Sequence, residues 1–352
     1  MSNFIHFGCW NQGICNINSQ DNPLSRVMTK LLEYTMEYET DFISVAGDNY
    51  YPIKNKKKKD KTLKKQKKDK IKEKIIKPDE MLSGFNCLPE GIDIFMLLGN
   101  HDLETNKKGK PTLFINNTEN IEDNCFILNA ELEFSEMHNP PINFVFNSAK
   151  ILDNTLILML DTSMYDEKAE KYLPCYNKLL GTNFKSIIDI HRFQLNFVQY
   201  NILENIDQFE NLVLIGHHPI TGTKEKNDEV KLIEPSNTFL DLLNNIFDML
   251  TNSVNYYYLC ADLHLHQEGE VIIVQKDSED DGENKIMIID QYIIGTGGTK
   301  LDPNPSMLLE DNFIETDNND IYYNMLLSEE VYGFLDCNII DGELYFEFIR
   351  AD

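Results

Sequence analysis

Apolar runs of strand length alternate along this chain with longer stretches in which apolar residues recur every three or four positions. Residues 3–8 are apolar except for Asn3, His6 and the closing Gly8, the pattern of a short strand. Residues 23–39 follow with Leu24, Val27, Met28, Leu31, Leu32 and Met36 at helical spacing, behind Asn22 as a capping residue. Residues 41–46 form a second apolar run that stops at Gly47. Strand, helix and strand in that order predict a right-handed βαβ unit. The strand pattern returns at 92–98, 143–146, 155–160, 211–215, 255–260, 271–275, 285–294, 332–340 and 343–350. The 143–146 and 155–160 runs read as paired strands, and Asp341-Gly342 as the hairpin turn between the last two. Helical spacing returns at 187–205 and 238–250, whereas 103–141 is less regular. The order predicts an α/β fold of mixed sheets with helices outside, as a single domain over residues 1–352.

Charge changes this picture first. The 352 residues carry a formal charge of −26, a field that repels phosphate-rich polymers over most of the surface and argues against bulk nucleic-acid binding. An anionic substrate then needs a local positive charge, such as a metal ion. The charge is uneven as well. Residues 54–77 hold fourteen lysines against Asp60, Asp69 and Glu73, leaving 18 basic and 55 acidic residues elsewhere. This Lys-rich insert reads as a solvated segment, or as an arm that touches a polyanion or the acidic body of another copy.

Seven cysteines are scattered with no C-x-x-C pair, which favours reduced thiols in an intracellular, cytoplasmic setting over a disulfide framework. Residues 1–8 read as a strand and not as a signal peptide, and no run reaches the ~20 apolar residues that span a bilayer.

The chemistry collects where strands end. Gly47-Asp48-Asn49-Tyr50-Tyr51, Gly99-Asn100-His101-Asp102, Gly216-His217-His218-Pro219 and Ala261-Asp262-Leu263-His264 each follow an apolar run, as does Gly8-Cys9-Trp10-Asn11. In open α/β sheets the carboxyl ends of strands form the ligand-binding rim. The first four blocks deliver oxygen and nitrogen donors of the kinds that hold hard or borderline metal ions. Four of the eight histidines fall in these blocks, and a fifth, His266, lies two residues past the last. His6 and His191 suit ordinary structural places on a strand and a helix.

Gly47-Asp48, Gly99-Asn100-His101-Asp102 and Gly216-His217-His218-Pro219, in this order, resemble the blocks of the calcineurin-like metallophosphoesterase superfamily. Gly47-Asp48-Asn49-Tyr50-Tyr51 is similar to its purple acid phosphatase branch, which includes the tartrate-resistant acid phosphatases. So is the late turn Gly295-Thr296-Gly297-Gly298. The resemblance implies a four-layer α/β/β/α sandwich holding two divalent or trivalent metal ions (iron, manganese or zinc). It also implies phosphomonoester hydrolysis by water activated at that pair, on a phosphorylated small molecule or phosphoprotein. By the same resemblance Asp48 bridges the metals, Tyr51 binds the first, and Asn100 and His217 bind the second. His101, oriented by Asp102, is the catalytic residue over the phosphate, and His218 joins it in substrate binding.

Two blocks depart from the family pattern. Its first block is Gly-Asp, whereas here Cys9 follows Gly8, either as a thiolate ligand to the first metal or as a small buried hydrophobe. Its last block is Gly-His-x-His. One register uses His264 and His266; the other, which also matches Tyr258-Leu259-Cys260 and Gln267, puts Asp262 on the second metal and His264 on the first. The second register is preferred. The altered blocks keep a competing expectation open, a degenerate member that is weak or inactive and serves as a binding or structural module.

Overall fold

The opening apolar run becomes the strand Ser2–Phe7, third in a six-stranded sheet. The computed structural model describes residues 2–55, 73–104, 112–114, 117–121, 125–226, 229–250, 254–276, 285–305 and 312–351. Ser2–Phe7 pairs in parallel with Phe42–Val45, which pairs in parallel with Asp93–Met96. The connecting helix, Pro23–Glu37, starts as its sequence dictates: Asn22 accepts the Ser25 N–H at 2.9 Å, and proline occupies the first turn. On the other edge Gly333–Ile340 and Glu343–Arg350 add antiparallel strands. Asp341 and Gly342 between them both take positive φ, 53° and 87°, as a tight hairpin turn requires.

A second, eight-stranded sheet has a parallel centre built from Thr155–Leu160, Asn211–Ile215, Asn255–Cys260 and Lys285–Ile294. Alternate residues of Thr155–Leu160 serve two different cores. Ile157 and Met159 join Phe4, Ile43 and Val45 of the first sheet. Leu156, Leu158 and Leu160 join Val198 and Ile202 of the helix Ile187–Asn205 and Leu243 and Ile246 of the helix Asn237–Met249. A strand buried on both faces needs no polar alternation, which is why its sequence is apolar throughout.

Some expected elements change. Residues 143–146 do not pair with 155–160. Asn143–Phe144 extends the first sheet beside Asp93–Met96, and Asn147–Leu152 forms the hairpin with Thr155–Leu160. The stretch 103–141, less regular in sequence, contains the helix Phe126–Ser135. Phe126, Ile127, Leu128, Ala130 and even Glu131 are buried there, and burial on several sides erases the amphipathic signal.

The cysteine expectation is corrected. Cys15–Cys87 and Cys125–Cys175 are disulfides, with Cα–Cα distances of 6.5 and 5.4 Å, and Cys9, Cys260 and Cys337 are buried and free. The partners lie 72 and 50 residues apart in sequence, so spacing alone concealed them. The argument for a reducing, intracellular setting loses its basis. No helix among the described residues is long and apolar enough to cross a membrane. Residues 56–72 of the Lys-rich insert, and with them the contact expected of it, lie outside the described residues.

Candidate metal centre

Parallel strands from the two sheets end at one rim, and backbone bonds stitch the ends together. Gly8 N donates to Ile294 O at 3.0 Å, Cys9 N to Gly47 O at 3.1 Å and Ala261 N to His217 O at 2.9 Å. Gly47, at φ +79°, lies so close to the backbone of Gly99 that a Cβ would overlap it. Three of the expected donors, Cys9, Asp48 and Asp262, hold φ of 53°, 54° and 58°. For residues with a Cβ this left-handed region is uncommon, and it costs of order 1 kcal/mol or more each at functional sites. Local propensity does not select these conformations; the loops aim three side chains into one space.

Cys9, Asp48 and His264 form one group whose donor atoms lie within 4.8 Å of one another. Tyr51 completes it: its hydroxyl lies 2.9 Å from Asp48 Oδ2 and 3.1 Å from His264 Nε2. His264 Nδ1 faces Lys300 O at 3.0 Å, so its proton is used there and Nε2 presents a lone pair. The tyrosine hydroxyl therefore has one proton to offer two acceptors. Burial, then Asp48, pushes the Tyr51 phenol and the Cys9 thiol well above their ordinary pKa values.

His217, His218 and Asp262 form the second group. His217 Nδ1 is 2.6 Å from Ala46 O, which turns Nε2 toward Asp48 Oδ1 at 3.5 Å and Asp262 Oδ1 at 3.8 Å. That nitrogen is buried without a hydrogen-bond partner. Burial disfavours a charged His217 ring, but Asp48 and Asp262 outweigh it and raise its pKa. Burial would likewise raise the Asp48 pKa, yet His217 and His101 bring it below the usual carboxylate value. A neutral ring would aim a lone pair at two carboxylates. A cation between them removes the conflict, as a cation beside Tyr51 resolves the shortage of protons there. On this chemistry each of the two groups could hold a cation, and Asp48 lies between them.

The remaining predicted residues are placed as follows. Asn100 is half-buried in the turn beside them. His101 donates its backbone N–H to Asp48 Oδ1 at 3.0 Å, and its ring lies 5.0 Å from that of Tyr51. Asp102 is the correction. Its oxygens accept Asn49 N (2.8 Å), Asn49 Nδ2 (3.0 Å) and Gly99 N (2.7 Å), while His101 Nδ1 turns to Glu104 Oε1 at 3.3 Å. Asp102 thus braces the loop backbone in place of orienting the imidazole. Burial, with Asp48 nearby, pushes its pKa up to about 7. His218, expected on substrate, stands within the second donor group. His266 lies in the strand His266–Gln275, bonded to Glu268 at 2.8 Å and stacked on Phe348 at 4.1 Å. It belongs to neither group, whereas Asp262 and His264 each lie in one.

Sequence reasoning missed the supports. Asn49 also accepts Trp10 Nε1 at 3.1 Å and donates to Leu97 O at 2.8 Å. Thr162 Oγ1 accepts both His217 N and His218 N at 2.9 Å. Asn49 sits inside a recognised block and Thr162 follows a strand, so both were visible as positions, though their partners were not. Glu131, buried against Asp102 with its pKa pushed well up by burial and that neighbour, had no signal in the sequence.

A family model described as calcineurin-like phosphoesterase matches residues 2–264. No curated protein matches the chain. Among solved structures, the fold is similar to that of GAP50, the anchor in the inner membrane complex of Plasmodium. The TM-score is 0.52 at 12% identity, covering 99% of this chain and 84% of that one. Purple acid phosphatase PPD1 from yellow lupin (Lupinus luteus) seeds gives 0.49 at 12% identity, covering 99% and 51%. PhoD gives 0.47 at 11% identity, covering 96% and 63%.

Proposed function

The chain belongs to the calcineurin-like phosphoesterase family, and on that premise we propose that it hydrolyses phosphomonoesters at a two-metal centre. The observation that carries this reading is His217 Nε2, buried without a partner between the carboxylates of Asp48 and Asp262. Cys9, Asp48, Tyr51 and His264 would hold one ion; Asp48, Asn100, His217 and Asp262 would hold the other, with His218 as a further donor. Iron, manganese and zinc all suit this mixture of oxygen, nitrogen and sulfur. Bound there, such ions supply an activated water and positive charge for the phosphoryl oxygens.

The chain's own groups supply the rest. His101 keeps a partly exposed side chain at the rim, where its imidazole can reach the phosphate and pass a proton to the leaving oxygen. Asp48, sharing one oxygen with the His101 N–H, fixes that residue relative to the donors. Asp102, Asn49 and Thr162 hold the loops rigid, so little reorganisation is needed when substrate binds.

The test is metal analysis of purified protein supplied with iron, manganese or zinc, together with turnover of a chromogenic phosphomonoester. About two ions per chain are expected, and Asp48→Asn or Asn100→Ala should lower kcat/KM by roughly a thousandfold or more. Fewer than one ion per chain under every supply, with no turnover, overturns the reading. One observation favours a second reading, a non-enzymatic module: a cysteine with a raised pKa occupies the place of an aspartate ligand. The Plasmodium anchor has the same fold, so fold does not choose between them. Under the module reading Cys9→Asp leaves turnover absent, and Asn100→Ala leaves the biological role intact.

A further inference from the structure

The three free cysteines, all buried, are not used alike. Cys260 and Cys337 sit in ordinary strand backbone, in Asn255–Cys260 and Gly333–Ile340, and Cys260 Sγ contacts Tyr292 O at 3.6 Å. A thiol serving as a small apolar side chain needs nothing more. Cys9 is instead held at φ 53°, a region that a residue with a Cβ adopts only when its surroundings impose it. Here they do. Cys9 N donates to Gly47 O at 3.1 Å, and Cys9 O accepts Thr299 N at 3.3 Å. The loop that begins at Thr299 also grips His264. Lys300 O faces His264 Nδ1 at 3.0 Å, Asp302 Oδ2 accepts His264 N at 3.2 Å, and Asp302 N donates to His264 O at 2.8 Å. One loop thus fixes a sulfur and an imidazole nitrogen beside Asp48, with the donor atoms within 4.8 Å of one another. The Tyr51 hydroxyl, 2.9 Å from Asp48 Oδ2 and 3.1 Å from His264 Nε2, adds a fourth donor.

The two donor groups therefore differ in kind. The second offers the imidazoles of His217 and His218 and the carboxylate of Asp262, a set that hard and borderline ions share. The first adds sulfur, and a thiolate favours zinc-like ions over manganese or magnesium. A Cys9 thiolate and the Asp48 carboxylate also balance the charge of a divalent ion in a buried place, where unbalanced charge is costly. We infer that the groups are unequal: the first is a thiolate site for a divalent, thiophilic ion of the zinc class and discriminates against manganese and magnesium, while the second accepts harder ions as well. This selectivity rests on the metal-centre reading above and goes beyond it, since that reading leaves iron, manganese and zinc equal. An aspartate at position 9 would put oxygen in place of sulfur and remove the discrimination. On binding, a bond forms from the ion to Sγ as the S–H bond breaks and the proton leaves to solvent; no electron is transferred.

The experiment reads sulfur directly and needs no turnover. The full chain, with its disulfides intact, is stripped of metal by a chelator and titrated with cobalt(II). A near-ultraviolet thiolate-to-cobalt charge-transfer band should rise as the first group fills. Cys260→Ala with Cys337→Ala, in which Cys9 is the remaining free thiol, should keep the band. Cys9→Ser should lose it while cobalt still binds the second group. Near-stoichiometric zinc should displace the cobalt that gives the band, and a large excess of manganese should not. In Cys9→Asp the preference for zinc over manganese should fall by at least about tenfold, since changes outside the ligand shell already cost that much. An unaltered chain that binds cobalt without the band overturns the inference, whether or not the Cys9 variants fold. So does a band that survives Cys9→Ser, or one that manganese removes as readily as zinc. Two bound ions and turnover of a phosphomonoester without the band leave the phosphoesterase reading standing and sink the thiolate site. The band with zinc preference but no turnover keeps the thiolate site and sinks the phosphoesterase reading.

Discussion

His6 is a buried imidazole outside both donor groups, and its environment makes a measurable claim. Nδ1 lies 2.9 Å from Ser44 Oγ on the first sheet and Nε2 3.4 Å from Cys260 O on the second. Burial lowers its pKa from 6.5 to about 4, so the folded ring is neutral where an unfolded one is half protonated. Its contribution to stability is whole above pH 6.5 and falls as pH drops toward 4, by up to about 3 kcal/mol. At pH 5.5 the loss should be about 1.4 kcal/mol relative to neutral pH. Urea unfolding of the native chain and of His6→Gln at pH 7.5 and 5.5 checks this. The native chain should lose more stability than the variant over that interval; equal losses would show that His6 does not titrate as its burial requires.

The ends of strands matter more than their middles, and Asn49 shows how three ends become one unit. Its side chain takes the Trp10 indole N–H after Ser2–Phe7 and donates to Leu97 O and Asp102 Oδ2 after Asp93–Met96, while it follows Phe42–Val45 itself. Asn49→Ala removes these bonds and leaves the indole N–H and part of Asp102 unpaired in the interior. A loss of about 2–4 kcal/mol in folding stability is expected, with metal content falling as the loops loosen. A denaturant midpoint lowered by less than about 1 kcal/mol equivalent would remove Asn49 from the support structure. The elements themselves were largely legible. Ile187–Asn205, Asn211–Ile215, Asn255–Cys260, Lys285–Ile294 and Glu343–Arg350 lie where their periodicity places them. Phe126–Ser135 was not, because burial on several sides left no polar face, nor was the pairing of Asn147–Leu152, because several strands could satisfy the same apolar pattern.

For the molecule as a whole, the disulfides change the expected behaviour most. Each closes a long loop, and the chain-entropy account assigns about 4 kcal/mol to loops of this length. Thiol titration in denaturant should find three free thiols before reduction and seven after. Reduced protein should unfold at a clearly lower urea concentration. An unchanged midpoint with seven thiols titrating would show that the bonds contribute nothing to the fold. Net charge of −26 acts over the same range and discourages polyanions over most of the surface.

Asp48, His101, His217 and His264 could be singled out as candidates without coordinates, because a donor placed directly after an apolar strand is a local pattern and the ordered blocks resemble those of a family. The strands that carry them could be found for the same reason, since apolar spacing reflects which faces are buried. The partnerships could not. That Asp102 braces Asn49 and Gly99, that His266 turns away to Glu268 and Phe348, that Cys9 reaches the group of Asp48 and His264, and that four cysteines pair are facts about residues far apart in the chain. Each depends on how two twisted sheets meet at one rim. Local propensity carries no record of that meeting, and at Cys9, Asp48 and Asp262 the packed loops hold a backbone conformation that propensity disfavours.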